Sequence, residues 1–227
     1  MIPKNPAKNV ELPKVIRHKA NVFNKQEITQ LFEAVKNTDL ELAVHILIFL
    51  GLRRGEAVAL RWENVNFEKK TVNIIENIVP VAGELILKKP KSDSGIRELS
   101  IPNNLLKMMK KAYTEYLWRK NIDSSITDYV IVKKDGQPYH PDWFSEKIQT
   151  FLTKAGLKQL CCHEFRHTSA TLMLQLGIVP KVAQKRLGHA DFSTTMDIYS
   201  HVLEDMEQEV ADKFDEAFAD DKNKFRA

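Results

Sequence analysis

His163-Glu164-Phe165-Arg166-His167 is a literal H-E-x-x-H, the helical pattern that sets two histidines one turn apart on one face for zinc-assisted hydrolysis. That chemistry needs a third ligand downstream. A third histidine at the metzincin spacing would fall at Met173, and no glutamate occurs between Glu164 and Glu204. A polar helix start is the better reading of these five residues. Three other groups could carry chemistry. Gly51-Leu52-Arg53-Arg54-Gly55-Glu56 sets two arginines at a helix-to-helix turn. Lys88, Lys89, Lys91 and Arg97 crowd one hairpin tip. Leu187-Gly188-His189 precedes Ser193-Thr194-Thr195 and Ile198-Tyr199. Taken singly, these are a C-cap glycine with surface charges, a lysine-protected edge and a capped helix with an ordinary tyrosine.

Taken in order, they resemble the tyrosine recombinase family. G-L-R-x-x-E, a lysine in a β-hairpin, H-x-x-R, L-G-H and a tyrosine follow one another as in the catalytic domain of phage and conjugative-transposon integrases. The resemblance runs from about Val22 to His201, and L-G-H-A-D-F-S-T-T-M-D-I-Y-S-H from Leu187 to His201 is its most specific string. Carried over position by position, the six active-site residues of the family fall on Arg53, Lys91, His163, Arg166, His189 and Tyr199, with Glu56 at the acidic position beside the first arginine. Arg53 is preferred to Arg54 because it follows Gly51-Leu52 directly. Lys91 is preferred to Lys88 and Lys89 because Pro90-Lys91-Ser92-Asp93-Ser94-Gly95-Ile96-Arg97 matches the family hairpin.

The resemblance implies cleavage and rejoining of DNA through a 3′-phosphotyrosyl intermediate. Attack on a phosphodiester builds charge on the nonbridging oxygens, which Arg53 and Arg166 would clamp and His189 would assist. Tyr199, a phenol with reference pKa near 10, would be the nucleophile and His163 its base or proton relay. Lys91 would protonate the leaving 5′-oxygen. The cationic groups replace a metal in this scheme, so no metal and no cofactor are expected.

These residues must be positioned by a mostly α fold with one small three-stranded antiparallel sheet (α+β). Asn24-Lys25-Gln26-Glu27 reads as a capping box ahead of Ile28, Leu31, Phe32 and Val35 at helical spacing. Further helices are expected over Leu40–Leu50, around Glu56–Leu60, from Pro102 through Leu117, from Pro141 to before Gly156, over His163–Leu176 and over Val182–Leu187. Thr71–Ile75, Glu84–Leu87 and Arg97–Ile101 read as a three-stranded meander. Residues 1–20, with three prolines and no periodic apolar pattern, read as a linker from a missing N-terminal DNA-binding domain. Residues 21–201 are expected to be the catalytic domain. Residues 202–227 are expected to form an amphipathic tail with Val202, Met206, Val210, Phe214 and Phe218 on one stripe, docking in cis or in trans.

The composition excludes several classes. No apolar run approaches the roughly 20 residues that span a bilayer, the N-terminus has no apolar signal region, and the two cysteines are adjacent. A soluble cytoplasmic protein is expected. Of the net charge of +4, residues 203–227 contribute nine acidic and four basic side chains, leaving the rest with 30 basic and 21 acidic ones. A basic body with an acidic tail fits a polyanionic partner. The expected partners are double-stranded DNA attachment sites, a homotetramer on DNA, and accessory DNA-bending or directionality factors. The weighed alternatives are a type IB topoisomerase-like relaxing enzyme and a non-catalytic helical DNA-binding regulator.

Overall fold

Glu41–Leu50 (α2) is apolar on every side, with Ala43, Val44, Ile46, Leu47, Ile48 and Leu50 all buried, so it needs neighbours all round. It finds them in Lys25–Val35 (α1), Asn103–Ile122 (α4) and Cys162–Gln175 (α6). Truncating Leu47 or Leu50 to alanine would cost about 2–5 kcal/mol. The computed structural model describes residues 21–81, 83–90, 93–188 and Phe214. The expected linker over residues 1–20, the hairpin residue Lys91, and the Ser193–Tyr199 and tail segments lie outside the described residues, Phe214 apart.

The sequence signals set the helix ends. In α1, Asn24 Oδ1 accepts the Glu27 N–H while Glu27 Oε2 accepts the Asn24 N–H, the reciprocal cap that the sequence predicts. Arg54–Ala59 (α3) is a short helix after the Gly51 stop. The first half of α4 buries Leu105, Leu106 and Met109 against α2, whereas Trp118 and Ile122 on its last turns are exposed. Pro141–Lys154 (α5) buries Phe144, Ile148 and Leu152 at four-residue spacing. Pro180–Leu187 (α7) starts two residues earlier than the sequence reading places it, with Pro180 in the first turn, where its missing N–H costs nothing. No helix among the described residues is long and apolar enough to cross a membrane.

The strands differ from the expected meander. Val65–Asn66 (β1), Thr71–Ile74 (β2) and Arg97–Ser100 (β5) form an antiparallel three-stranded sheet in the order β1-β2-β5. Asn77–Val81 (β3) and Glu84–Lys88 (β4) form a separate hairpin inserted between β2 and β5. The Glu84 strand therefore pairs not with the Thr71 strand but with β3, whose internal Pro80 disguises it in the sequence. Val81 pairs with Glu84, so the turn holds only two residues, and Gly83 at φ +87° supplies the positive φ that such a turn requires. In β2 and β5, Val72, Ile74, Arg97 and Leu99 face inward in alternation. The overall class is the expected one; the sheet membership is corrected.

Candidate active site

Two helices end against each other here. α2 stops at Gly51 (φ +61°) and α7 at Gly188 (φ +69°), both left-handed caps. A Cβ on Gly51 would lie 2.5 Å from Leu187 Cδ2, so the glycine is needed for space as well as for φ. Carbonyls at a helix C-terminus lack intrahelical partners and carry partial negative charge. Guanidiniums fill that need. Arg166, from the first turns of α6, donates to the Gly51 carbonyl (2.8 Å) and the Leu187 carbonyl (2.6 Å). Arg53, at the N-terminus of α3, donates to the Gly188 carbonyl (2.9 Å).

A carboxylate completes the anchoring. Glu56, three residues into α3, reaches back so that Oε2 accepts the Arg53 backbone N–H (2.9 Å) and Oε1 accepts from its guanidinium (2.8 Å). Arg97 grips the same carboxylate with both terminal nitrogens, at 3.2 and 2.9 Å. Burial alone would raise the Glu56 carboxyl. The hydrogen bonds and charge of Arg97, then those of Arg53, reverse this and hold it below the usual carboxylate value. Burial, then the Arg53 charge, pulls Arg166 down to about 9, still cationic at neutral pH, with Glu56 opposing.

His163 lies in the first turn of α6, three residues before Arg166. Burial of much of its ring, then the charges of Arg166 and Arg53, push its pKa below the ordinary imidazole value, so it is neutral at pH 7. His167, one turn on, meets it edge to face at 4.6 Å and is pushed down by burial, His163 and Arg166. Its Nδ1 is buried without a hydrogen-bond partner among the described residues. The H-E-x-x-H match thus puts His163 in the field of two guanidiniums and His167 in that of Arg166, a poor place for a cation. Among the described residues no group of three or more His, Cys, Asp or Glu side chains is placed to hold a metal. Arg53, Gly55, Ile78, Cys161 and His163 line an open cleft of about 520 Å³. Gly55 is forced by closeness there, since a Cβ would stand 1.9 Å from Asn77 Oδ1 and 2.5 Å from the Ile78 carbonyl.

Of the six residues singled out by the sequence, the fold brings Arg53, His163 and Arg166 together. Lys91, His189 and Tyr199 lie outside the described residues. Arg54 lines the same cleft but is held from α5, by Asp142 (2.7 Å) and Ser145. Lys88 and Lys89 are exposed. Sequence reasoning gave no role to Arg97 or Arg186. Arg186 donates to the Phe49 and Ser100 carbonyls, joining α7 to the end of α2 and to β5. The signal for Arg97 was present in the alternation Arg97-x-Leu99, which puts the arginine on the inward face of its strand.

The comparisons place this fold and its arginine-histidine cluster in one family. Residues 21–206 match the phage integrase family, and the chain belongs to that family. The ICEBs1 integrase of Bacillus subtilis (strain 168) is 29% identical over 221 residues, covering 95% of this chain and 60% of that protein. The crystal structure of the XerA recombinase superposes with a TM-score of 0.69 at 25% identity, covering 85% of this chain and 66% of that one. The Tn1549 transposon integrase in complex with transposon right-end DNA gives a TM-score of 0.74 at 20% identity over 91% of this chain and 72% of that one, a likeness of fold. The chain spans less than two thirds of the length of the integrase and XerA relatives.

Proposed function

We propose that this chain carries the strand-cleaving centre of a site-specific DNA recombinase of the integrase type. The observation that supports this best is the pair of guanidiniums, Arg53 and Arg166, fixed from behind by the ends of α2 and α7 beside a neutral His163 at an open cleft. Donors fixed in advance suit charge that develops only in a transition state, because nothing need reorganise when it appears. Membership of the phage integrase family and the DNA-bound integrase of the same fold support DNA as the substrate.

In this reading the Tyr199 phenol gives its proton to His163 and its oxygen attacks the scissile phosphorus. The bond from phosphorus to the 5′-oxygen breaks, and Lys91 delivers a proton to that oxygen. Arg53, Arg166 and His189 hold the nonbridging oxygens throughout. The 3′-phosphotyrosyl bond keeps the linkage reactive, and a second 5′-hydroxyl reverses the steps to rejoin a strand. The partners are double-stranded attachment sites, further copies of the chain in a tetramer and accessory DNA-bending or directionality factors, with the reaction in the cytoplasm. Residues 1–20 serve as a linker, 21–201 as the catalytic domain and 202–227 as an assembly tail.

The test is a nicked duplex that traps the covalent species by letting the short 5′-hydroxyl fragment diffuse away. The adduct should form in EDTA, and the DNA-linked peptide should contain Tyr199. Tyr199→Phe should abolish the adduct and leave DNA affinity within about threefold, since phosphate contacts dominate binding. Linkage to Tyr113, Tyr116, Tyr129 or Tyr139 would overturn the assignment.

A further inference from the structure

We propose that Arg97 is a positioning residue for the reaction, acting through Glu56 to keep the Arg53 charge available to the scissile phosphate. This rests on the functional reading above. Arg97 occupies a position that strand alternation reserves for an apolar side chain. It is paired with Ile74 on β2, two residues from the inward Leu99, and only 8% exposed. A cation there is costly unless its partners are fixed. All three guanidinium nitrogens are engaged: Nε with the Arg186 carbonyl (2.8 Å), one terminal nitrogen with the Gly95 carbonyl (3.0 Å) and Glu56 Oε1, the other with Glu56 Oε2.

The electrostatic consequence follows from the sharing of one carboxylate. Glu56 sits 2.8 Å from the Arg53 guanidinium and, with no second partner, would pair with it one to one. A neutral pair has little field left for a phosphate. With Arg97 on the same carboxylate, the three groups carry a net positive charge, and Arg53 keeps its outward face free to act. Glu56 is 3% exposed, so water does little to screen this exchange. The geometry is coupled as well. A Cβ on Gly188 would lie 3.1 Å from an Arg97 terminal nitrogen and 3.2 Å from its Cδ, so the arginine packs directly on the residue whose carbonyl receives Arg53. Arg97 thus touches the hairpin return, the end of α7 and the anchor of Arg53 at once.

The experiment uses the whole chain and a nicked duplex spanning a junction of its encoding element with flanking DNA. Adduct rate, noncovalent DNA affinity and melting temperature are measured for Arg97→Met, Arg97→Lys and the double variant Glu56→Gln/Arg97→Met. Arg97→Met should slow adduct formation by about 100-fold, the loss expected of one misaligned transition-state donor. Arg97→Lys, which keeps the charge but not the two-pronged grip, should lose about tenfold. The double variant removes both buried charges and should recover at least about tenfold over Arg97→Met, with affinity within about threefold throughout. A merely structural arginine would move melting and leave the double variant no faster than Arg97→Met, and that result overturns the inference. A wild-type rate for Arg97→Lys overturns it even if Arg97→Met does not fold. If the wild-type chain reacts at Tyr199 and the rescue is missing, this inference alone fails. A wild-type chain that never forms the adduct overturns the functional reading itself.

Discussion

The Arg53 guanidinium donates to the Gly188 carbonyl across 135 positions of the chain at 2.9 Å. A side chain of the first helical cluster is thereby held by the end of the last described helix. Arg166 spans the same gap by holding Gly51 and Leu187 together. The site is therefore assembled by chain closure: until α7 docks, neither guanidinium has its full set of acceptors. His189 follows Gly188 directly in the chain.

Gly188→Ala should be one of the most damaging single-methyl changes in the molecule. The residue sits at φ +69°, where an L side chain costs about 1–2 kcal/mol, and its Cβ would press on the Ser94 carbonyl at 2.7 Å. Thermal unfolding should show a loss of at least about 2 kcal/mol, with adduct formation falling in parallel as the Arg53 acceptor shifts. Gly177→Ala is the control, with φ +76° and nothing within 4 Å of the added carbon. It should lose only the backbone cost, about 1 kcal/mol, and keep its rate.

Arg53→Ala and Arg166→Ala should each slow cleavage by about 100-fold to 1000-fold, near 3 kcal/mol of barrier. They should separate in stability. Arg166 is 1% exposed and satisfies carbonyls at two helix ends, so its loss leaves buried acceptors orphaned and should lower stability by about 2–3 kcal/mol. The Arg53 side chain is 40% exposed and should cost under about 1 kcal/mol. Equal destabilisation, measured by denaturant titration, would contradict the anchoring described for Arg166.

Much of this was legible in the sequence, for local reasons. Asn24 and Glu27 announce a helix start by spacing alone, and Gly51 and Gly188 announce helix ends because few other residues tolerate a left-handed cap. Phe144 and Ile148 display their helical face directly. What escaped is non-local. The pairing of β2 with β5 skips residues 75–96, which contain the β3–β4 hairpin, and no alternation pattern reports which strand lies beside which. The tight turn between Val81 and Glu84 was hidden by Pro80, which reads as a loop signal but sits within β3. Arg97 was visible as a motif residue, yet its burial against Glu56 depends on α3 and β5 meeting, a fact of packing alone.

Adduct formation should depend on pH through His163. Its pKa lies below 6.5 because burial, then Arg166 and Arg53, disfavour the imidazolium. With the neutral ring as the proposed base, the rate should be level near pH 7 and fall as pH drops below 6.5 through the depressed value. The fold is affected in the same direction. The unfolded chain takes up its protons first, at ordinary histidine values, so stability also declines as pH falls in that window. Melting curves at each pH separate the two effects. His163→Gln should remove the acidic limb of the rate while leaving a slow, flatter profile, and an unchanged limb would assign the titration to another group, His167 first.

The last prediction concerns the acidic tail. Residues 203–227 carry nine acidic and four basic side chains, so their removal raises the net charge from +4 to +9. Like charge near a phosphate backbone opposes binding, and the effect is screened by salt. Deleting 203–227 should therefore tighten binding to a single site at low salt, with the difference shrinking as salt rises. The same segment carries Met206, Val210, Phe214 and Phe218, which continue from Val202 at four-residue spacing, an apolar sequence stripe that would need a partner surface on a helix. If that partner is a neighbouring copy of the chain on DNA, the truncated chain should bind and cleave one site yet fail to assemble paired sites or complete strand exchange. Native gel shifts with one and two sites, read beside the adduct assay, distinguish these steps. Paired-site assembly and recombination at the full-length rate by the truncated chain would show that the stripe is satisfied within its own subunit.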